Sequence, residues 1–345
     1  MIDFSNTKLK NLVVHRVGNK SREEGTTLSN STLKLQGEML NDLMLQFFLS
    51  PFKHDNFYRF QHETDLNLNE TFSYTSKVFD DEKLFLEQSQ NIAKHLYEQS
   101  THPKINSGEF YAIILEDCLI EDELVNAFGL FKTENKDTYI KVKEKDESFE
   151  IDYENGININ KLDKGCIIFN TEKDNGYIVS MVDNINKGGE AQYWKDNFLK
   201  IKPREDNYYF TQNYMNMCKD FADKGIEELE RTEQIDIKNS TMNYFVEKDT
   251  FNIKEFQEEV IKDEDTKEIF NDFVQNYEQE NDVNLQNEFD ISTNAVKAVK
   301  RKFKSVIKLD KNFHIYVHGN QNLIEKGFDE PKNKNFYKLY FENEK

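Results

Sequence analysis

The first hundred residues combine one strand-like pattern with two helix-like patterns. The predicted elements are a β-hairpin over residues 8–35 and helices over residues 36–49 and 81–99. In the hairpin, residues Leu12–Val17 form the first strand, the polar segment GNKSREEG supplies the turn, and residues 26–35 form the returning strand. Apolar residues recur at helical spacing in both predicted helices, and Pro51 ends the first of them.

Residues 110–182 change to a β pattern. Six short strands are predicted here: Phe110–Leu115, Val125–Lys132, Thr138–Val142, Ser148–Tyr153, Gly165–Asn170 and Gly176–Val182. The segments between them are rich in Asn, Asp and Glu, and the Asn-Gly pair at 175–176 is a strong hairpin signal. We therefore expect one mostly antiparallel sheet over 110–182, with the two N-terminal helices on one face.

The helical pattern returns after residue 190. Helices are predicted over Ala191–Lys200, over Tyr208–Gly225, from a cap at Asn252 to which Glu255 reaches back, over Thr266–Tyr277 and over Thr293–Phe303. Short strands are then predicted at Ser305–Leu309, Phe313–His318 and Phe336–Phe341. The fold class is thus α+β, with a mostly antiparallel sheet and flanking helices in the N-terminal half and a helical C-terminal half that ends in a small helix-plus-strands unit. The predicted domains are 1–190, which contains the sheet, and 191–345, which is mainly helical.

Charge is spread unevenly along the 345 residues, whose formal net charge is −19. Residues 221–290 carry 21 acidic and 7 basic side chains, whereas residues 291–345 carry 12 basic and 6 acidic ones. A basic C-terminus that follows an acidic stretch is the largest charge asymmetry in the chain.

Cysteine use and hydropathy bear on the compartment. Cys118, Cys166 and Cys218 are far apart in the sequence, and none belongs to a Cys-x-x-Cys pair, so we expect reduced, unpaired thiols. The opening 20 residues lack the apolar segment of a signal peptide, and the longest apolar runs are too short to span a bilayer. The expected protein is cytoplasmic and has no membrane segment.

A search for catalytic and cofactor motifs finds none. There is no phosphate-binding loop, dinucleotide fingerprint, His-Glu-x-x-His pair or nucleophile elbow. His314 and His318 share one face of a predicted strand, but zinc sites need three or four ligands and no third is identifiable. The polar face of a half-buried strand is the preferred interpretation. We therefore predict no catalytic residue, no metal and no cofactor.

The helix that Ser292 can cap is the most informative segment. Its apolar residues, Val296, Val299 and Phe303, are spaced to form a buried stripe, and no acidic residue occurs from 291 to 309. The candidate nucleic-acid-binding residues on the adjoining stripe, the next strand and its turn are Lys297, Lys300, Arg301, Lys304, Lys308 and Lys311. Such a surface suits a phosphate backbone, and the alternative is a solvated helix face balanced by the acidic stretch.

The order of these segments resembles that of the bacterial 37-kDa nucleoid-associated protein family, the NdpA-like proteins. The resemblance rests on LVVHRVGN and TTLSNSTL near the N-terminus, FYAIILEDC, VNAFGLFK and INKLDKGCIIFN in the centre, QYWKDNFLKIKP and NYYFTQNYMNMCKDF after it, and FDISTNAVKAVKRKF with FHIYVHG at the end. It spans nearly the whole chain. It implies a cytoplasmic protein of the nucleoid that binds DNA, and it supplies no catalytic residues. The very acidic middle of this chain departs from that expectation, because DNA repels negative charge.

Three functions remain open from the sequence. The first is a nucleoid-associated protein that binds double-stranded DNA with little sequence preference and contributes to chromosome organisation. The second is an acidic protein-interaction module that partners other nucleoid or DNA-processing proteins without binding DNA directly. The third, an enzyme acting through scattered carboxylates, ranks last, and we expect no enzyme. Homo-oligomerisation is left open.

Overall fold

The computed structural model describes residues 2–52, 56–146, 148–185, 193–225, 231–303, 305–317 and 323–343. The chain divides into two compact units, Met1–Arg204 and Glu205–Lys345. The first unit contains a large antiparallel sheet, and the second is mainly helical, so the predicted α+β fold class is confirmed. Within the described residues, no helix is both long and apolar enough to cross a membrane.

Eleven strands lie in the described part of the first unit. They are β1 (Ile2–Asp3), β2 (Lys8–Val17), β3 (Thr26–Thr27), β4 (Phe57–Phe60), β5 (Gly108–Ile120), β6 (Glu123–Thr133), β7 (Asp137–Lys145), β8 (Ser148–Gly156), β9 (Lys164–Phe169), β10 (Ile178–Asp183) and β11 (Ile201–Pro203). Nine of them form one sheet in the order β11-β4-β10-β9-β6-β5-β2-β3, with β1 pairing to β5. Every pairing in this sheet is antiparallel.

The described part of the first unit also contains three α-helices and several shorter turns of helix. The α-helices are α1 (Glu38–Leu49), α2 (Glu70–Asp80) and α3 (Phe85–Gln99). Short 3-10 turns lie at Lys20–Arg22, Leu66–Leu68, Glu82–Leu84 and Lys173–Asn175, and a π-helical segment spans Trp194–Leu199.

The large sheet is buried on both faces. Alternate residues of β5 enter two different cores: Phe110, Ala112 and Ile114 pack with α2, α3 and Trp194–Leu199, whereas Tyr111, Ile113 and Leu115 pack with α1. A strand with both faces covered needs an unbroken apolar run, which the segment FYAIIL supplies. The expectation that the helices cover one face is therefore wrong, because α1 packs on the face opposite to α2 and α3.

The single predicted sheet over residues 110–182 needs two corrections. It is larger than expected, because β1 to β4 and β11 join it from outside that range. It is also interrupted, because β7 and β8 pair only with each other and form a separate two-stranded sheet, while β6 pairs directly with β9. The predicted return strand over residues 26–35 is reduced to Thr26–Thr27.

The second unit consists of helices around an aromatic core, followed by short hairpins. Its α-helices are α4 (Asn207–Asp220), α5 (Arg231–Glu247), α6 (Ile253–Phe256), α7 (Glu264–Asn281) and α8 (Thr293–Val299), with π-helical turns at Phe221–Gly225 and Gln257–Ile261 and a 3-10 turn at Lys300–Phe303. Its strands are β12 (Thr250–Asn252), β13 (Glu288–Asp290), β14 (Ser305–Leu309), β15 (Phe313–Val317), β16 (Ile324–Asp329) and β17 (Lys334–Leu339). Among the described residues, β14 with β15 and β16 with β17 form antiparallel hairpins, whereas β12 pairs antiparallel with β13 across the intervening α6 and α7.

The three cysteines are free and buried. Cys118 and Cys166 lie in strands of the large sheet, and Cys218 lies on α4 in the aromatic core. Burial raises the pKa of the Cys118 thiol to about 11, and it raises the thiol pKa of Cys166 and Cys218 as well. The prediction of unpaired, hydrophobe-like cysteines is confirmed.

Candidate nucleic-acid interface

The basic helix, which we define as residues 293–303, begins at the predicted cap. The side-chain oxygen of Ser292 accepts a hydrogen bond from the Ala295 amide at 3.3 Å. The backbone amide of Ser292 donates in turn to the hydroxyl of Thr211, a buried residue of α4, at 2.9 Å. The start of the basic helix is therefore fixed both in its own first turn and against α4.

One stripe of the basic helix is buried in the aromatic core of the second unit. Val296, Val299 and Phe303 are all less than 7 % exposed, and they belong to the core that contains Tyr214 and Met217 of α4. The predicted buried stripe is thus confirmed. The last turn, Lys300–Phe303, is 3-10 rather than α-helical, so the α-helix ends at Val299.

The cations of the basic helix are exposed. Lys297, Lys300 and Arg301 face solvent, and none of them forms an ion pair or side-chain hydrogen bond with another described residue. Lys302 is also exposed, and its Nζ donates to Oδ1 of Asn216 on α4 at 3.1 Å. Three adjacent cations are therefore held on a fixed backbone without a carboxylate partner among the described residues.

The other predicted cations differ in what the structure describes. Lys311 is exposed in the turn between β14 and β15. Lys304 and the side chain of Lys308 lie outside the described residues, as does His318. His314 is exposed on β15, and the described residues contain no cluster of three His, Cys, Asp or Glu side chains that could hold a metal ion.

The acidic stretch pairs its own lysines. Lys248 contacts Glu255 and Glu259 at 2.7 and 2.8 Å, and Lys267 contacts Glu258 and Glu264 at 2.8 and 2.7 Å. Each lysine therefore bridges two carboxylates, which raises the pKa of both amino groups. These two lysines are engaged locally, in contrast to Lys297, Lys300 and Arg301 of the basic helix.

A buried charged cluster in the first unit was not predicted from the sequence. Lys132, Glu134 and Lys164 have side chains at most 1 % exposed, and Glu134 contacts the two lysines at 3.1 and 3.4 Å. The hydroxyl of Tyr193 donates to Glu134 at 3.0 Å, and both ammonium groups lie over the Tyr193 ring. The available signal was a lysine at one end of each of two apolar strands, β6 and β9. The cluster joins core strands and does not resemble a ligand site.

Comparison with known proteins adds a family match. The family model described as nucleoid-associated protein YejK matches residues 13–334, which is nearly the whole chain. A search of the curated proteins finds no match to this chain.

Proposed function

Because the chain belongs to the family of nucleoid-associated protein YejK, we propose that it binds double-stranded DNA with little sequence preference and contributes to chromosome organisation. In this proposal the protein acts on the nucleoid in the cytoplasm, and it uses no catalytic residue and no cofactor.

The observation that carries the proposal is the exposed set Lys297, Lys300 and Arg301, which has no carboxylate partner among the described residues. Most contacts that hold a protein on DNA go to phosphates, and they require cations that are free to replace counterions. A lysine already bound to a carboxylate would first have to break that contact. The basic helix offers its cations without that cost, and its packing on α4 keeps them in place.

The acidity of the rest of the chain constrains how DNA can bind. At physiological salt, exposed charges are screened beyond about 8 Å. A DNA duplex at the basic helix therefore experiences mainly the local positive charge, while acidic surfaces farther away add only weak repulsion. We expect binding that is moderate at low salt and lost steeply as salt rises.

The direct test reverses the charge of the three described cations. We expect the triple variant Lys297→Glu, Lys300→Glu and Arg301→Glu to lose binding to random-sequence duplex DNA in a gel-shift assay at low salt. The fold should persist, because exposed unpaired charges contribute little to stability.

A matched control separates a local patch from a change in total charge. Lys34, Lys94 and Lys254 are exposed and lie outside the basic helix, in the segment before α1, on α3 and on α6 respectively. The variant Lys34→Glu, Lys94→Glu and Lys254→Glu changes the net charge by the same amount and should retain most of the affinity. Equal losses in both variants, or a wild-type protein without DNA affinity at low salt, would contradict the proposal.

The second candidate function is an acidic interaction module that partners DNA-processing proteins. It is favoured by the 21 acidic side chains of residues 221–290, of which Glu258 and Glu264 remain 73 % and 85 % exposed while paired to Lys267. This function requires no DNA affinity. The gel shift therefore separates the two candidates, because only the first predicts that the charge-reversal variant differs from wild type.

A further inference from the structure

The hairpin of β7 and β8, which we call the arm, is an insertion between the paired strands β6 and β9. Its base is fixed by two carboxylates. Asp163 accepts hydrogen bonds from the backbone amides of Glu134 and Asn135 at 2.6 and 2.9 Å. Asp137 accepts from Lys161 and Asn158, each at 2.8 Å. The arm is therefore a defined element and not an irregular loop.

The strand register sorts the side chains of the arm onto two faces. On one face, Lys141 lies opposite Asp152 and Lys143 lies opposite Glu150. On the other face, Ile140 is opposite Tyr153 and Val142 is opposite Ile151, and Phe149 follows toward the tip. The first face is charged, and the second is a continuous apolar face.

The apolar face is exposed throughout. Its side chains are 61–73 % exposed: Ile140, Val142, Phe149, Ile151 and Tyr153. A two-stranded hairpin is only marginally stable in water without a surface to pack on. Five large apolar side chains on one face of such a hairpin indicate that another surface covers it.

The exposed area matches a modest interface between two copies. With about two-thirds of roughly 150–200 Å² exposed per side chain, the five residues offer on the order of 550 Å² per arm. Two arms face to face would bury about 1,100 Å², which passes the ~1,000 Å² that separates specific interfaces from incidental contacts. Among the cross-strand pairs described for this face, one side chain is charged. It is Glu144, which lies opposite Phe149 at the tip end of the arm, where it can stay in solvent.

We propose that the arm is a self-association surface, on which the apolar face of one copy packs against the same face of a second copy. A two-fold arrangement places like residues on like residues, so an apolar face without internal charges is complementary to itself. Duplex DNA does not suit this face, because the face is apolar and the hairpin that carries it is acidic. The proposal is independent of DNA binding.

The test measures the mass of the full chain by sedimentation over a range of concentrations, without DNA. The wild type should change from the monomer mass of 41.0 kDa toward twice that mass in the micromolar range. The variant Val142→Asn and Ile151→Asn alters one cross-strand pair of the apolar face and should weaken the dimer by at least ~100-fold, because polar groups would be buried without partners. The adjacent pair on the charged face supplies the control, since Lys141→Asn and Asp152→Asn should leave the dimer intact.

Salt provides a second readout. The attraction in this proposal is hydrophobic and the arms are acidic, so raising the salt concentration should preserve or strengthen the dimer. If the double Asn variant does not fold, as judged by circular dichroism, Phe149→Glu at the tip serves in its place. A wild type that stays monomeric at high concentration would overturn the proposal, and so would a dimer that both apolar-face variants leave unchanged.

Discussion

At the scale of single residues, His15 is held in its neutral form inside the first unit. Its Nδ1 accepts a hydrogen bond from the Ser29 amide at 3.1 Å, so the ring proton resides on Nε2, which donates to the Ser89 hydroxyl at 3.0 Å. Burial lowers the pKa of the imidazole to about 4. Protonation of Nδ1 would point a second N–H at the N–H of Ser29. It would also bury a positive charge that has no carboxylate among its hydrogen-bond partners in the described residues.

The neutral His15 predicts a specific loss of stability on acidification. Its pKa falls from an unfolded value of 6.5 to about 4, so the unfolded state takes up the proton first and is favoured as the pH falls below 6.5. Between pH 7 and pH 5 this single group should reduce the free energy of unfolding by about 2 kcal/mol. Urea titrations of the wild type and of His15→Phe measure the difference. If the two proteins lose stability equally over this range, His15 is not the cause.

Glu134 is the acid on which the buried charged cluster depends. The adjacent ammonium groups of Lys132 and Lys164 hold the pKa of the Glu134 carboxyl below its usual range despite burial. Burial lowers the pKa of Lys132, and Glu134 partly opposes that effect. Glu134 is therefore the carboxylate that the two buried lysines share.

Removing the Glu134 carboxylate should strongly lower the free energy of unfolding. We expect Glu134→Gln to lower the free energy of unfolding by about 3–5 kcal/mol, because two buried lysines lose their shared counterion. The control is Glu82→Gln, whose carboxylate forms a surface ion pair with Lys10 and should contribute at most about 1 kcal/mol. Chemical denaturation measures both, and similar small losses would show that the cluster contributes no more than a surface pair.

At the scale of elements, local signals predicted helix starts and turns well. Ser292 and Asn252 cap the helices that they were expected to cap. The Asn-Gly pair lies in the β9–β10 connection, where Gly176 has a φ of 95° and an added Cβ would lie 2.4 Å from the Phe60 carbonyl oxygen. The expected back-contact of Glu255 is wrong. Its carboxylate accepts from Lys248 and Tyr244 instead, and the Asn252 amide donates to the Tyr244 hydroxyl.

Tertiary packing explains what local signals missed. The apolar residues of α5 do not repeat cleanly along one helical face, so its sequence gives no strong helical pattern. For the arm, the sequence pattern correctly indicated two strands but assigned them to the wrong sheet. Its alternating apolar and charged residues are typical of a strand with one face on a core, and the sequence placed both strands in the main sheet. The alternation shows that one face needs cover, but it cannot tell whether the same chain provides that cover.

For the basic helix, local signals predicted part of the outcome and tertiary contacts determined the rest. Its cap, its buried stripe and its run of cations all follow from residue spacing, and the structure places Val296, Val299 and Phe303 inside and Lys297, Lys300 and Arg301 outside. The sequence could not show how the cations are left unpaired, because that depends on which lysines the acidic stretch engages. Lys248 and Lys267 engage four of its carboxylates, and those contacts join residues that are 3 to 11 positions apart.

At the scale of the whole molecule, a formal net charge of −19 has to be reconciled with DNA binding. General attraction between protein and DNA cannot account for affinity in such a chain, so any affinity has to come from a local set of phosphate contacts. This requirement makes the account specific, because a small number of cations should determine the entire salt dependence.

The most direct test of the central claim is therefore the salt dependence of DNA affinity. The measurement is the slope of log K against log salt concentration for duplex DNA, taken for the wild type and for Lys297→Gln, Lys300→Gln and Arg301→Gln. Each phosphate contact contributes about 0.9 to the magnitude of the slope, so the account predicts that the triple variant loses about 2–3. A wild type that binds with the same slope as the variant, or that does not bind at low salt, would contradict it.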